Sequence, residues 1–91
     1  MTIMLIFVAN INYHAEDSEL CALFETYGAV ETFRIRRNEK GQSQGYGWVT
    51  MEDAAAARAI HELNGINFNG RPLVVQKSEN HNTKRKEYIS K

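Results

Sequence analysis

Two separate stretches of this chain alternate residues of opposite character, one for one. In Ile6-Phe7-Val8 and in Gly45-Tyr46-Gly47-Trp48-Val49-Thr50-Met51, aromatic side chains take one parity and aliphatic side chains the other. A β-strand turns successive side chains to opposite faces, so residues two apart share a face. Tyr46 and Trp48 therefore point together, while Gly47, Val49 and Met51 point the other way. Phe7 likewise opposes Ile6 and Val8. If the aliphatic sets line the core, three rings stand on the open face of a sheet. A slip of one residue would reverse this, but both strands would have to slip together.

The rest of the chain supplies the cover for the aliphatic face. Residues 3–10 read as a continuous apolar strand, and residues 11–15 as a turn. Residues 17–27 carry Leu20, Leu23, Phe24 and Tyr27, the stripe of an amphipathic helix, closed by Gly28. Acids at positions 16, 17 and 19 suit the helix N-terminus. A second strand over 30–37 turns Phe33 and Ile35 to one face and Arg34 and Arg36 to the other. A hairpin loop containing Gly41 leads to a third strand over 45–51. Asp53 is the expected N-cap of a second helix, 54–63, whose stripe is Ala56, Ala59, Ile60 and Leu63. Phe68 is expected to tuck into the core from the turn at 66–70. The last strand, 71–77, points Leu73 and Val75 inward, and Val74 and Gln76 outward.

The order β-α-β-β-α-β predicts an α+β, ferredoxin-like sandwich. In it a four-stranded antiparallel sheet carries both helices on one face. The chain of 91 residues, 43% apolar, is long enough for one domain over 1–78. Residues 79–91 are polar, contain Lys84-Arg85-Lys86 and read as a flexible basic tail.

A formal net charge of zero conceals a strong asymmetry. All 11 Lys and Arg residues lie at or beyond Arg34, while Glu16, Asp17, Glu19, Glu25 and Glu31 precede it. Partner choice follows local charge, and a total can hide it. The single cysteine, Cys21, excludes an internal disulfide and reads as a small apolar helix residue. His14, His61 and His81 are scattered, so no metal-ligand spacing is present. No serine has an evident His–acid pairing, and no glycine cluster forms a phosphate loop. No cofactor, metal or catalytic residue is therefore expected. The apolar run at 3–9 is too short to span a membrane and lacks a basic leader. A cytoplasmic protein is expected, or a nuclear one in a eukaryote.

At Gln44 to Met51 the chain resembles the RNA recognition motif family. That family's longer signature, K/R-G-F/Y-G/A-F-V-x-F/Y, is met at Gly45, Tyr46, Gly47 and Val49. Gln44 stands where the family has a basic residue, Trp48 where it has Phe, and Met51 at the last aromatic position. The shorter family signature, aliphatic-aromatic-aliphatic-x-Asn-Leu, is similar to Ile6 through Ile11, with Ile for Leu at the end. The two signatures start 38 residues apart, with a helix and a strand between them as the family requires. The resemblance covers roughly residues 2–78. Size and basic tail are also similar to those of small stand-alone bacterial members.

The resemblance and the ring face imply a module that binds single-stranded RNA, with single-stranded DNA a possible competitor. Phe7 and Tyr46 would stack two bases, and Trp48 would press on a sugar or a third ring. Arg34 and Arg36 would hold phosphates, and Gln76 and Ser78 would meet base edges. Arg37, Lys40 and Lys77, at loops and strand ends, are further candidates for backbone contact. Asn10 is expected to fix the turn after the first strand, while Tyr13 and His14 carry no assigned role. A protein-interaction module is the alternative, since some family members bind peptides through this fold. Acylphosphatases share the layout but need a Gly-rich loop ending in Arg, and Asn10 to Glu16 contains neither residue type.

Overall fold

The computed structural model describes residues 2–78. The tail expected over 79–91 lies outside the described residues. Eight elements follow one another: β1 (Ile3–Ala9), α1 (Asp17–Glu25), β2 (Val30–Arg37), β3 (Ser43–Glu52), α2 (Asp53–Leu63), β4 (Asn67–Phe68), β5 (Arg71–Pro72) and β6 (Val74–Lys77). The main sheet has the order β2-β3-β1-β6, and each neighbouring pair is antiparallel. This is the α+β, ferredoxin-like arrangement that the alternating strands and two helical stripes require.

One face of the sheet is closed by the helices. Ile6, Val8, Ile35, Val49, Met51 and Val75 are buried from the sheet side, in one core with Leu73, Leu20 and Phe24 of α1 and Ala56, Ala59 and Leu63 of α2. Phe33 meets Phe24 edge-on, with ring centroids 6.4 Å apart. Burying an aliphatic side chain of this size contributes roughly 1.5–3 kcal/mol. A register slip exposing Ile6, Val8 and Val49 together would forfeit several kcal/mol, so the aromatic parity is held outward by the aliphatic one. Phe68 packs against the margin of the same core.

Three local features depart from the sequence expectation. Helix α1 ends at Glu25 with Thr26 as its C-cap, so Tyr27 packs against the core from beyond the helix. Helix α2 is capped by Glu52, whose carboxylate accepts from the backbone N–H groups of Ala54 and Ala55 at 3.1 and 3.4 Å. Asp53 is already helical, and its own N–H donates to the carbonyl of Thr2 at 2.8 Å. The expected strand over 71–77 is also divided. Leu73 donates to the Ile66 carbonyl and accepts from the Gly65 N–H, at 2.9 and 2.7 Å. These bonds hold Leu73 to the turn after α2. Arg71 and Pro72 pair with Asn67 and Phe68 in a small hairpin, and the main sheet is joined only from Val74.

Candidate nucleic-acid interface

On the open face, the register lines up one side chain from each strand. Arg34 lies opposite Trp48, Trp48 opposite Phe7, and Phe7 opposite Gln76. The row Arg34–Trp48–Phe7–Gln76 thus crosses β2, β3, β1 and β6. The adjacent row holds Tyr46, Ala9 and Val74. Tyr46 and Trp48 meet at 5.6 Å between centroids and 83° between planes. Phe7 is 6.0 Å from Tyr46 and 6.1 Å from Trp48, tilted by 46° and 54°. All three rings are half-buried, and none packs with the hydrophobic core. Each ring centroid lies 5.6–6.1 Å from the other two. Edge-to-face and tilted pairs of this kind contribute about 0.5–1.5 kcal/mol each.

Two glycines make this geometry possible. A Cβ on Gly47 would lie only 2.2 Å from the backbone oxygen of Arg34 and 2.9 Å from the Cα of Ile35. Close approach of β2 to β3 therefore depends on the bare backbone between Tyr46 and Trp48. Gly45 has φ +84°, in the left-handed region, and a Cβ there would meet the Tyr13 ring at 2.9 Å. The family signature's two glycines thus have separate physical tasks, one in the sheet and one beneath a loop aromatic.

The cationic residues divide into groups. Arg34 and Arg36 are both exposed; Arg34 lies opposite Trp48, and Arg36 falls where the β2–β3 register shifts, between Ile35 and Arg37. Arg37 is differently placed: its Nη2 donates to the Asp17 carboxylate at 2.7 Å and its Nη1 to the Gly41 carbonyl at 3.1 Å. The guanidinium ties the β2–β3 loop to the start of α1. Among the described residues this is the one ion pair. Lys40 is exposed at the tip of that loop. Lys77 is exposed, but it follows the parity of Val75 and shares a surface hollow with Asp53 of α2, on the side away from the rings. Gln76 and Ser78 follow the outward parity. The Ser78 N–H donates to the Leu5 carbonyl at 2.9 Å, extending the β1–β6 pairing past Lys77.

Sequence reasoning left out one constellation at the end of the ring patch. Asn10 has φ +58°, a left-handed conformation that Asn tolerates better than most residues. Its Oδ1 accepts from Nε and Nη2 of Arg71 at 3.1 and 2.7 Å, and its Nδ2 donates to the Pro72 carbonyl at 2.8 Å. Asn10 therefore fixes the β5 segment, 61 residues away, and not only its own turn. The guanidinium carbon of Arg71 lies 5.8 Å from the Tyr13 ring centroid, and Tyr13 is 61% exposed. Phe7, Tyr46, Tyr13 and Arg71 line one hollow of about 340 Å³. The available signal was the left-handed tendency of Asn10, but its partner could not be read from a local pattern.

Among the described residues, no group of three His, Cys, Asp or Glu side chains is placed to hold a metal. No helix among them is long and apolar enough to cross a membrane.

The described residues form a small α+β domain, a four-stranded sheet backed by two helices with three rings on its other face. The RNA recognition motif model matches residues 6–74, and the chain belongs to that family. It is 36% identical to the putative RNA-binding protein RbpA of Synechocystis, covering 84% of this chain and 77% of that protein. It is 39% identical to a polyadenylate-binding protein of Chaetomium globosum over 81% of this chain, but spans only 10% of that protein's length. A solved complex of the Sex-lethal protein with RNA superimposes with a TM-score of 0.80 at 33% identity, covering 85% of this chain and 47% of that one.

Proposed function

We propose that this protein is a binding module for single-stranded RNA that holds bases on the rings of Phe7 and Tyr46. Trp48 closes the patch against a sugar or a further base. Arg34 and Arg36 engage phosphates from the β2 side, and Gln76 meets a base edge from the β6 side. The carrying observation is the four-strand row Arg34–Trp48–Phe7–Gln76. It joins a cation, two rings and a side-chain amide on the face of the sheet opposite α1 and α2. The RNA held by the Sex-lethal relative supports the same class of ligand.

Relative magnitudes assign the work. Stacking contributes about 1–3 kcal/mol per base, so two bases supply roughly 2–6 kcal/mol. A micromolar complex requires about 8 kcal/mol net. Rings alone fall short, and the Arg34 and Arg36 cations must supply part of the remainder. Lys40 extends the cationic reach along the loop. Arg37 and Lys77 contribute less, one held by Asp17 and the other turned toward α2. Ser78 lies beyond Gln76 at the edge of the patch.

Trp48, the only tryptophan, provides the test. Titration with single-stranded RNA oligonucleotides should quench its fluorescence saturably, and Phe7→Ala should weaken that binding. Fluorescence unmoved by any single strand, while a peptide ligand shifts it, would favour the protein-interaction reading instead. Replacing Gln76 with Ala should alter base preference in a randomised-RNA selection more than it alters affinity.

A further inference from the structure

The hollow beside the rings has a chemical character that stacking alone does not use. Arg71 is held by a side-chain oxygen that takes one fork of its guanidinium, the Nε and Nη2 donors. An arginine carries five N–H donors and no acceptor. With that side fork committed to Asn10, three donors have no partner among the described residues, and two of them form the terminal Nη1/Nη2 fork. The Tyr13 ring packs beside the guanidinium and stands over Gly45, where any side chain would displace it. Arg71, so held, lines a hollow together with Phe7, Tyr46 and Tyr13.

We infer that this hollow selects guanine, through the terminal fork of Arg71 on N7 and O6, with the purine ring against the tyrosines. The inference rests on the reading of the sheet as an RNA-binding face. Guanine presents two adjacent acceptors on that edge, matching a planar two-donor fork. Adenine places an amino donor beside its N7, opposing the fork. Uracil separates its two acceptors with an N–H. Cytosine has an adjacent acceptor pair but a smaller ring to stack. A phosphate would satisfy the fork yet leave the aromatic walls unused. Asn10 is the positioning residue: its left-handed backbone and two-way side chain hold Arg71 and Pro72 in one orientation.

The test uses the full chain and a uridine hexamer, against the same hexamer with one guanosine moved through each position. At its preferred position the guanosine should tighten binding roughly 5- to 150-fold, the range for one bidentate pair. Replacing that guanosine with 7-deazaguanosine should abolish most of the gain, and inosine, which keeps N7 and O6, should preserve it. Arg71→Lys should weaken the guanosine-containing hexamer far more than the all-uridine hexamer, because an ammonium presents no planar fork. Should Arg71→Lys disturb folding, the 7-deaza comparison on the unaltered protein decides alone. Binding of the uridine hexamer with no guanosine gain, a cytidine preference, or equal loss for every strand on Arg71→Lys would overturn the guanine assignment and leave the RNA reading standing. Failure of every hexamer to bind would overturn both.

Discussion

Phe7 and Trp48 face each other directly across the β1–β3 ladder, with ring centroids 6.1 Å apart and planes at 54°. Their side chains lie on the sheet face opposite the one that buries Ile6 and Val49. Removing such a ring should separate affinity from stability. Phe7→Ala and Tyr46→Ala are each expected to cost about 1–3 kcal/mol of RNA affinity. Each should cost only on the order of 1 kcal/mol of folding stability, from lost ring–ring contact. Oligonucleotide titration beside thermal melts checks this. A loss of several kcal/mol in stability, with affinity intact in the folded fraction, would identify the rings as structural.

Gly47 should behave in the opposite way. The space for its Cβ is occupied by the Arg34 backbone oxygen at 2.2 Å, and backbone cannot rotate aside as a side chain can. Gly47→Ala is expected to destabilise the protein by about 1–3 kcal/mol through forced displacement of β2. It should also weaken RNA binding by drawing Arg34 away from Trp48. Chemical denaturation would measure the first effect, and titration of the folded protein the second.

Arg34 and Arg37 offer a comparison between two cations of the same strand. Among the described residues Arg34, opposite Trp48 on the ring face, makes no ion pair, whereas Arg37 is paired with Asp17. Arg34→Gln should lower RNA affinity several-fold, as expected for the loss of one phosphate contact. Arg37→Gln should leave affinity within about twofold and change stability by at most about 1 kcal/mol, since the pair is exposed on both sides. Equal losses of affinity for the two variants would show that the ion pair opens on binding.

Salt dependence tests the division between stacking and charge. Neutralisation of about three phosphates gives a log–log slope of roughly −2 for a single strand. Raising salt fourfold should then weaken binding about 20-fold. An affinity that barely responds to salt would assign nearly all the binding to the rings.

The ring face was legible in the sequence because strand parity is a local property, and two strands carried the same message. Buried Val49 and Met51 on one parity left Tyr46 and Trp48 only the other side. The two helical stripes likewise needed only spacing. What escaped was set by contacts distant along the chain or by competition between neighbours. Glu52 caps α2 because the last strand residue already lies at the helix entrance, one position ahead of Asp53, the N-cap that the sequence predicts. The interruption at Leu73 comes from its bonds to Ile66 and Gly65, which no strand propensity announces. The pairing of Asn10 with Arg71 spans 61 residues, and nothing adjacent to either residue foretells it.

The mutual tilt of the three rings has a consequence for the shape of any bound strand. Planes inclined by 46° to 83° cannot each lie flush with bases that remain parallel to one another. On the proposed reading, neighbouring nucleotides must fan apart to dock, surrendering the helical pile-up they keep when free. Such a protein would act on folded transcripts as a trap for their open form, pulling weak hairpins toward the unwound state as its concentration rises.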